Sequence, residues 1–529
     1  MSASNTVFPL LTATAVLPAV GAIATAAVPA KQRTAAKWLA LLFSLATLVL
    51  AAVVAVRFDP GGGRFQLTES HAWIADFGVR YELGVDGIAV ALIALTALLI
   101  PFVILAGWHD ADPQETGNTR WRPTQGFFAL ILLVEAMVII SFEATDVFLF
   151  YIFFEAMLIP MYFLIGGFGD RAGPHGEKEA ATQRSYAAVK FLLYNLVGGL
   201  IMLAAVIGLY VVAGSFSLSE IAEARASGSL DMATNTERLL FLGFFFAFAV
   251  KAPLWPLHTW LPNAMGEATA PVAVLITAVV DKVGTFAMLR FCLQLFPEAS
   301  KWATPVILVL ALISIVYGAL VAVGQRDIKR LVAYASISHF GFIIMGIFAM
   351  TSQGQSGATL YMVNHGISTA ALMLVAGFLI SRRGSRLIAD YGGVQKVAPV
   401  LAGTFLIGGL ATLSLPGLAP FVSEFLVLVG TFTRYPVIGI IATFGIVLAA
   451  LYTLVLYQRT MTGPVKPSTE GIADLRVREL AVVVPLIGVL IFLGVYPKPL
   501  TELVNPAVKH TLSDVHKKDP KPEVEAAHK

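Results

Sequence analysis

Long apolar runs, repeated from one end of the chain to the other, constrain it more than any other feature. A helix that crosses a bilayer needs about 20 mostly apolar residues. Fourteen such stretches follow one another, at 7–28, 36–56, 86–107, 124–142, 147–168, 187–213, 236–259, 270–294, 302–323, 331–350, 356–380, 399–430, 437–458 and 479–496. Open strands cannot satisfy their backbone in lipid, so the stretches predict an all-α integral membrane protein. Composition points the same way. Of 529 residues, 57% are hydrophobic and 13% charged, and a globular fold carries about 25% charged. One polytopic domain over 1–529 is expected, with N-terminal helices in 1–107, five helices in 124–294, five more in 302–458, and a last helix with a polar tail in 459–529.

No basic residue precedes the first run (Lys31 follows it), so that run reads as a retained helix and not a cleaved signal. Loops after odd-numbered spans hold nineteen Lys and Arg, among them Arg120, Arg122, Arg171, Lys329 and Arg478; loops after even-numbered spans hold seven. Basic residues favour the cytoplasmic side, which predicts both termini on the far side, although the tail from Lys498 adds six basic residues there. Segment 215–235 reads as interfacial, and 505–529 as a short helix fraying into disorder.

Several chemistries are excluded. A formal net charge of +3 is too small to suggest nucleic acid. One cysteine, Cys292, leaves no internal disulfide and no four-cysteine iron–sulfur site. There is no Walker loop and no metal-ligand pattern. Gly167–Phe168–Gly169 ends a membrane span, whereas a dinucleotide fingerprint needs strand, turn and helix.

Ionisable residues inside the spans cost several kcal/mol and mark function by default. Glu135 lies in span four, Glu155 in span five, Lys251 in span seven, Lys282 in span eight beside Asp281, His339 in span ten, His365 in span eleven and Glu424 in span twelve. Any one of them could be interhelical glue. Seven spread over seven spans are better explained as a proton path, since a buried lysine whose carboxylate partner moves away tends to lose its proton. Arg290 and Asp281 read as snorkelling or paired, Glu143 and Asp146 as solvated in a short loop, and His258 as ambiguous.

Span seven also carries Pro253, Pro256 and Pro262, and span twelve Pro416, Gly417 and Pro420. Proline in a helix removes a donor and frees the carbonyl four residues earlier, here those of Ala249, Ala252 and Thr412. Spans four to eight and nine to thirteen form two sets of five, with the broken helix fourth in each. Interrupted helices in matching places point to inverted repeats around a midplane ion site.

The motifs FFEAMLIPMYFLIGGFG (153–169), FAVKAPLWPLHTWLPNA (248–264), GQRDIKRLVAYASISHFGF (324–342) and LSLPGLAPFVSEFLVLVGTF (413–432) resemble the antiporter-like subunits of respiratory complex I, NADH–quinone oxidoreductase. Glutamate at 424, where related subunits carry lysine, and a short C-terminal tail make the M branch (subunit 4 in mitochondria) the better likeness. The resemblance implies a proton-pumping, non-redox subunit of a bacterial plasma membrane. NADH, FMN, iron–sulfur clusters and quinone would be bound by other subunits. The implied neighbours are subunits L and N, the lateral helix of L, and lipid. Glu155 would pair with Lys251, Lys282 would link two half-channels, His339 and His365 would line the central axis, Glu424 would end the exit path, and Glu135 would be a second acidic site facing a neighbour. One departure is Glu267–Ala268–Thr269–Ala270–Pro271, whose proline is shifted by two residues. The rival reading is a sodium/proton antiporter subunit; a purely structural membrane arm and a membrane-bound hydrogenase subunit are more distant alternatives.

Overall fold

A backbone without water must bond to itself, and the apolar runs do so as helices. The computed structural model describes residues 8–112, 124–170 and 177–520, so Arg120, Arg122 and Arg171, and the end of the tail from 521, lie outside the described residues. The principal elements in chain order begin with α1 (Leu10–Ala27), α2 (Arg33–Arg57), a hairpin of β1 (Gln66–Ile74) and β2 (Val79–Val85), α3 (Gly87–Ala106) and α4 (Thr124–Glu143). Next come α5 (Val147–Ala156) and α6 (Leu158–Phe168), which continue as one span, then α7 (Glu177–Ala213), α8 (Leu218–Ala226), α9 (Thr234–Lys251), α10 (Leu261–Glu267) and α11 (Ala270–Leu293). The remainder are α12 (Pro297–Val323), α13 (Ile328–Phe348), α14 (Ser352–Arg383), α15 (Pro399–Thr412), α16 (Ala419–Phe432), α17 (Pro436–Met461), α18 (Val477–Val495) and α19 (Lys498–Asp514).

Twelve spans among the described residues are long and apolar enough to cross a membrane. The two other expected spans are the α9–α10 and α15–α16 pairs, broken where the prolines cluster, so the architecture is compatible with fourteen crossings. At the first break Leu254 N donates to the Ala249 carbonyl at 3.0 Å, and the Trp260 indole donates to the Val250 carbonyl at 2.9 Å. At the second, Leu415 N donates to Leu410 O at 3.0 Å and Asn364 Nδ2 to Ala419 O at 2.9 Å. Both breaks are thus held by protein groups, which is what non-helical backbone at membrane depth requires.

A device used twice relates the two sets of five. Asp146 caps α5 by accepting from Phe148 N and Leu149 N, and its backbone bridges to Ser217; Asp327 caps α13 by accepting from Lys329 N and Arg330 N, and its backbone bridges to Leu387. Each aspartate opens the second span of its set and reaches the segment after the third. By the count of spans the two caps fall on opposite membrane faces, the relation expected of inverted repeats.

Two expectations need correction, and one element has no counterpart among the apolar runs: the connection after α2 folds as the β1–β2 hairpin, in which His71 faces Tyr81. That hairpin roofs the α4–α5 turn, with Thr145 N donating to Glu82 O at 3.0 Å and Arg80 N to Asp146 Oδ2 at 3.1 Å. Glu143 and Asp146 are therefore buried rather than solvated. The C-terminal helix begins at Lys498, earlier than expected, and docks on α3, where a Cβ on Gly87 would meet Leu503 O at 1.8 Å. Only glycine permits that approach. In segment 215–235, Phe216, Leu218 and Ile221 are buried in the protein, and Phe216 stacks on Tyr210 at 4.5 Å. The shifted Pro271 falls in the first turn of α11, where a missing donor costs nothing.

Candidate proton-transfer site

α11 is the most enclosed span, fully buried over its apolar window, and it carries Lys282 into the centre of the bundle. Lys282 Nζ lies 2.7 Å from His365 Nδ1 on α14 and 4.1 Å from the Phe340 ring centroid. The His365 ring stands 5.3 Å from that of His339 on α13. His339 Nδ1 shares a 2.5 Å hydrogen bond with the Tyr361 hydroxyl, which donates to Glu424 Oε2 at 2.9 Å. Ser414 Oγ, in the break before α16, also donates to Glu424. Every one of these side chains is buried. The result is a line of groups able to carry or hand on protons, from mid-bundle to the second broken helix.

The first half is arranged differently. Lys251, the last residue of α9, donates to the Phe154 carbonyl at 2.8 Å and lies 3.8 Å from the Phe154 ring centroid. Its charge interacts with that of Glu155, the next residue along α5, but the two are not bonded as an ion pair. Glu155 is half-buried with Oε1 unbonded, and it rests against Gly199 of α7, whose added Cβ would meet Oε1 at 1.9 Å. Glu135 stands apart from the row. Its carboxylate is fully buried, with neither oxygen bonded among the described residues, in a helix packed against α1. Arg290 is paired, at 3.0 Å from Asp86. His258 is buried against Tyr317, away from the row.

A cavity of about 660 Å³ opens among the loops that follow odd-numbered spans, with Asp110, Asp170, Thr269, Lys329, Arg382 and Arg478 in its wall. It reaches Ala270 and Pro271 at the start of α11 and Gly377 of α14. Lys329 is bound at 2.5 Å to Asp170 and at 2.7 Å to the Ala268 carbonyl. Asp110 is exposed to this cavity, and crowding by the surrounding protein together with the charge of Asp170 raises its carboxyl.

The family model described as NADH:quinone oxidoreductase/Mrp antiporter, TM, matches residues 144–449, which hold both breaks and all of the row. An NADH-quinone oxidoreductase subunit M of Mycobacterium tuberculosis is 55% identical, over 98% of this chain and 96% of its own. The chain belongs to the NADH-quinone oxidoreductase subunit M family. A chain in respiratory complex I from Thermus thermophilus with bound NADH superposes with a TM-score of 0.83 at 30% identity, covering 96% of this chain and 99% of that one. A chain of the Mrp complex from Dietzia gives 0.79 at 20% identity, over 96% and 100% of the two chains, and shares the fold.

Within this chain, sequence reasoning missed Tyr361, Ser414 and Gly199. Tyr361 was within reach, because it precedes His365 by four residues and so shares its helix face. Tyr452, whose hydroxyl is 3.4 Å from His339 Nε2, comes from a distant span and gave no signal of its own.

Proposed function

We propose that protons enter this chain through the cavity around Asp110 and leave beyond Glu424. Glu155, Lys251, Lys282, His365, His339 and Glu424 carry them, and Tyr361 bridges. The chain is a proton-pumping membrane-arm subunit of NADH:quinone oxidoreductase, so the driving energy comes from quinone reduction elsewhere in the complex. The line from Lys282 Nζ through His365, His339 and Tyr361 to Glu424 carries the reading. Lifting one charge against 100 mV costs about 2.3 kcal/mol. A nearby charge shifts a pKa by about 1–3 units, each worth about 1.4 kcal/mol, so closing and opening a Glu155–Lys251 pair supplies energy of that size. With Lys251 on the Phe154 carbonyl, that pair is in its open state. Glu135, buried and unbonded, is a second acidic site off the main row.

The role is non-redox. NADH, FMN, iron–sulfur and quinone chemistry is assigned to other subunits, in keeping with a single buried cysteine. Subunits L and N and the lateral helix of L are the proposed neighbours, the bacterial plasma membrane the location, and both termini non-cytoplasmic. Lys251→Ala and Glu424→Gln, made in the whole complex with its amount read from an NADH-stained native gel, are expected to cut proton uptake and quinone turnover in proteoliposomes. Unchanged pumping in both would refute the path, and a sodium-dependent flux would favour the antiporter reading.

A further inference from the structure

Between the two lysines of the row lies a carboxylate that neither packing nor capping explains. Asp281 is fully buried, and among the described residues neither of its oxygens has a hydrogen-bond partner. The faces of α11 show where it points. Ala278, Lys282 and Thr285 face α14, where a Cβ on Gly366 would be 3.2 Å from Ala278 O, Lys282 meets His365, and Thr285 Oγ1 meets the Met362 sulfur at 3.0 Å. Gly284 faces α9, its added Cβ only 3.0 Å from Ala252 N and Phe248 O. Asp281 precedes Gly284 by three residues and so shares that face, while Lys251 follows Phe248 by three on α9. Asp281 interacts electrostatically with both Lys282 and Lys251, and Lys251 with both Glu155 and Asp281. Interhelical glue would use its oxygens, and these are unused.

We propose that Asp281 is a proton-carrying relay carboxylate joining Lys251 to Lys282. The proposal rests on the translocation reading above and fills the gap between its two halves. An N–H bond of the Lys251 ammonium breaks and an O–H bond forms on Asp281, leaving a neutral amine and a neutral acid. The O–H then breaks as an N–H forms on the neutral Lys282 amine, which restores the carboxylate and leaves an ammonium facing His365. Only the proton moves. Two π-helical segments, Leu275–Val280 and Met288–Leu293, bracket the α-helical turns that hold Asp281 and Lys282. Such wide turns are frequent at functional sites.

The test is Asp281→Asn, of nearly the same shape, in the whole complex, beside Glu424→Gln and Asp281→Glu. Proton uptake and quinone turnover per assembled complex are expected to fall at least about tenfold in Asp281→Asn, within the roughly 10²-fold a positioned proton-transfer group supplies. Asp281→Glu is expected to recover most of that loss. Asp281→Asn at wild-type levels, with Glu424→Gln impaired, overturns the relay and leaves the wider path standing; both at wild-type levels overturn the path itself. Should the Asn variant fail to assemble, infrared difference spectra of the wild type and Asp281→Glu decide. A carboxyl C=O band that changes on turnover and shifts with the substitution supports the relay, and no such band overturns it.

Discussion

Removing one oxygen atom, by Tyr361→Phe, tests the exit half of the path with the least disturbance. The hydroxyl shares a 2.5 Å hydrogen bond with His339 Nδ1 and donates to Glu424 Oε2 at 2.9 Å. Without it those two atoms are left on the order of 5 Å apart, about two hydrogen-bond lengths. A proton passes directly only between atoms about 2.6–3.2 Å apart. The space left by one hydroxyl is smaller than the roughly 30 Å³ share of a water molecule, so water does not simply replace it. Losing a positioned transfer group costs about 10²–10⁴-fold, or about 3–5 kcal/mol of barrier at about 1.4 kcal/mol per decade. The ring keeps its packing against His365 and Phe342, so the variant is expected to assemble, with a stability loss of about 1–3 kcal/mol from the broken hydrogen bonds. Proteoliposomes holding the whole complex should then show proton uptake and quinone turnover reduced about 10²-fold. An assembled Tyr361→Phe complex within twofold of wild type in both would refute the claim that protons pass through this hydroxyl.

Two further substitutions test the entry half. Gly199→Val puts side-chain atoms where Glu155 Oε1 now lies, 1.9 Å from the added Cβ, and is expected to push that carboxylate aside and lower pumping about tenfold, within the range of a lost proton-transfer group. Gly403→Ala, with nothing within 4 Å of its Cβ, is the control expected to pump normally. Crowding by protein and the charge of Asp170 raise the Asp110 carboxyl above its ordinary 3.8, but the side chain is exposed to the cavity and water screens much of that effect, so over part of the acid range the native protein binds a proton that the unfolded chain has released. The resulting small penalty to stability is absent below about 3.8 and grows as pH rises through the raised value. Thermal unfolding of the complex should therefore show wild type losing more stability than Asp110→Asn between pH 5 and pH 8. Parallel losses would mean that Asp110 is ordinary.

The spans were legible because lipid demands them: unbroken apolar length placed α1 to α4 and α11 to α14 to within a few residues, apart from earlier starts at α12 and α14 and a later end at α14. The breaks were legible because proline leaves a mark on any helix. What could not be read were contacts made by backbone. The hairpin after α2 is short, polar and alternates weakly, and its burial of Glu143 and Asp146 comes from hydrogen bonds between Thr145 and Glu82 and between Arg80 and Asp146. The charges at 135, 155, 251, 282 and 424 stood out against apolar surroundings, and so did the histidines. Their order did not, since Lys282 meets His365 across 83 residues and Glu424 meets Tyr361 across 63. Tyr361 and Ser414 were hidden for another reason: hydroxyls are cheap in a membrane, so neither looks out of place.

The two halves of the row differ in a way that locates control. From Lys282 to Glu424 the groups touch or nearly touch, and all are buried. A path so nearly complete has little left to gate. From Glu155 to Lys282 no two of the charged groups share a hydrogen bond, two are wholly unbonded at one or both oxygens, and Lys251 is lodged on a carbonyl at a broken helix end. Uncompensated charge in a low-dielectric interior is costly, so small shifts of α9 or α11 change which of these groups holds the proton. The α-helical turns of α11 between its π segments, and the unwound chain at 252–260, are the places where the backbone can make such shifts. Control therefore belongs in the first half, and the second half conducts whatever that half releases.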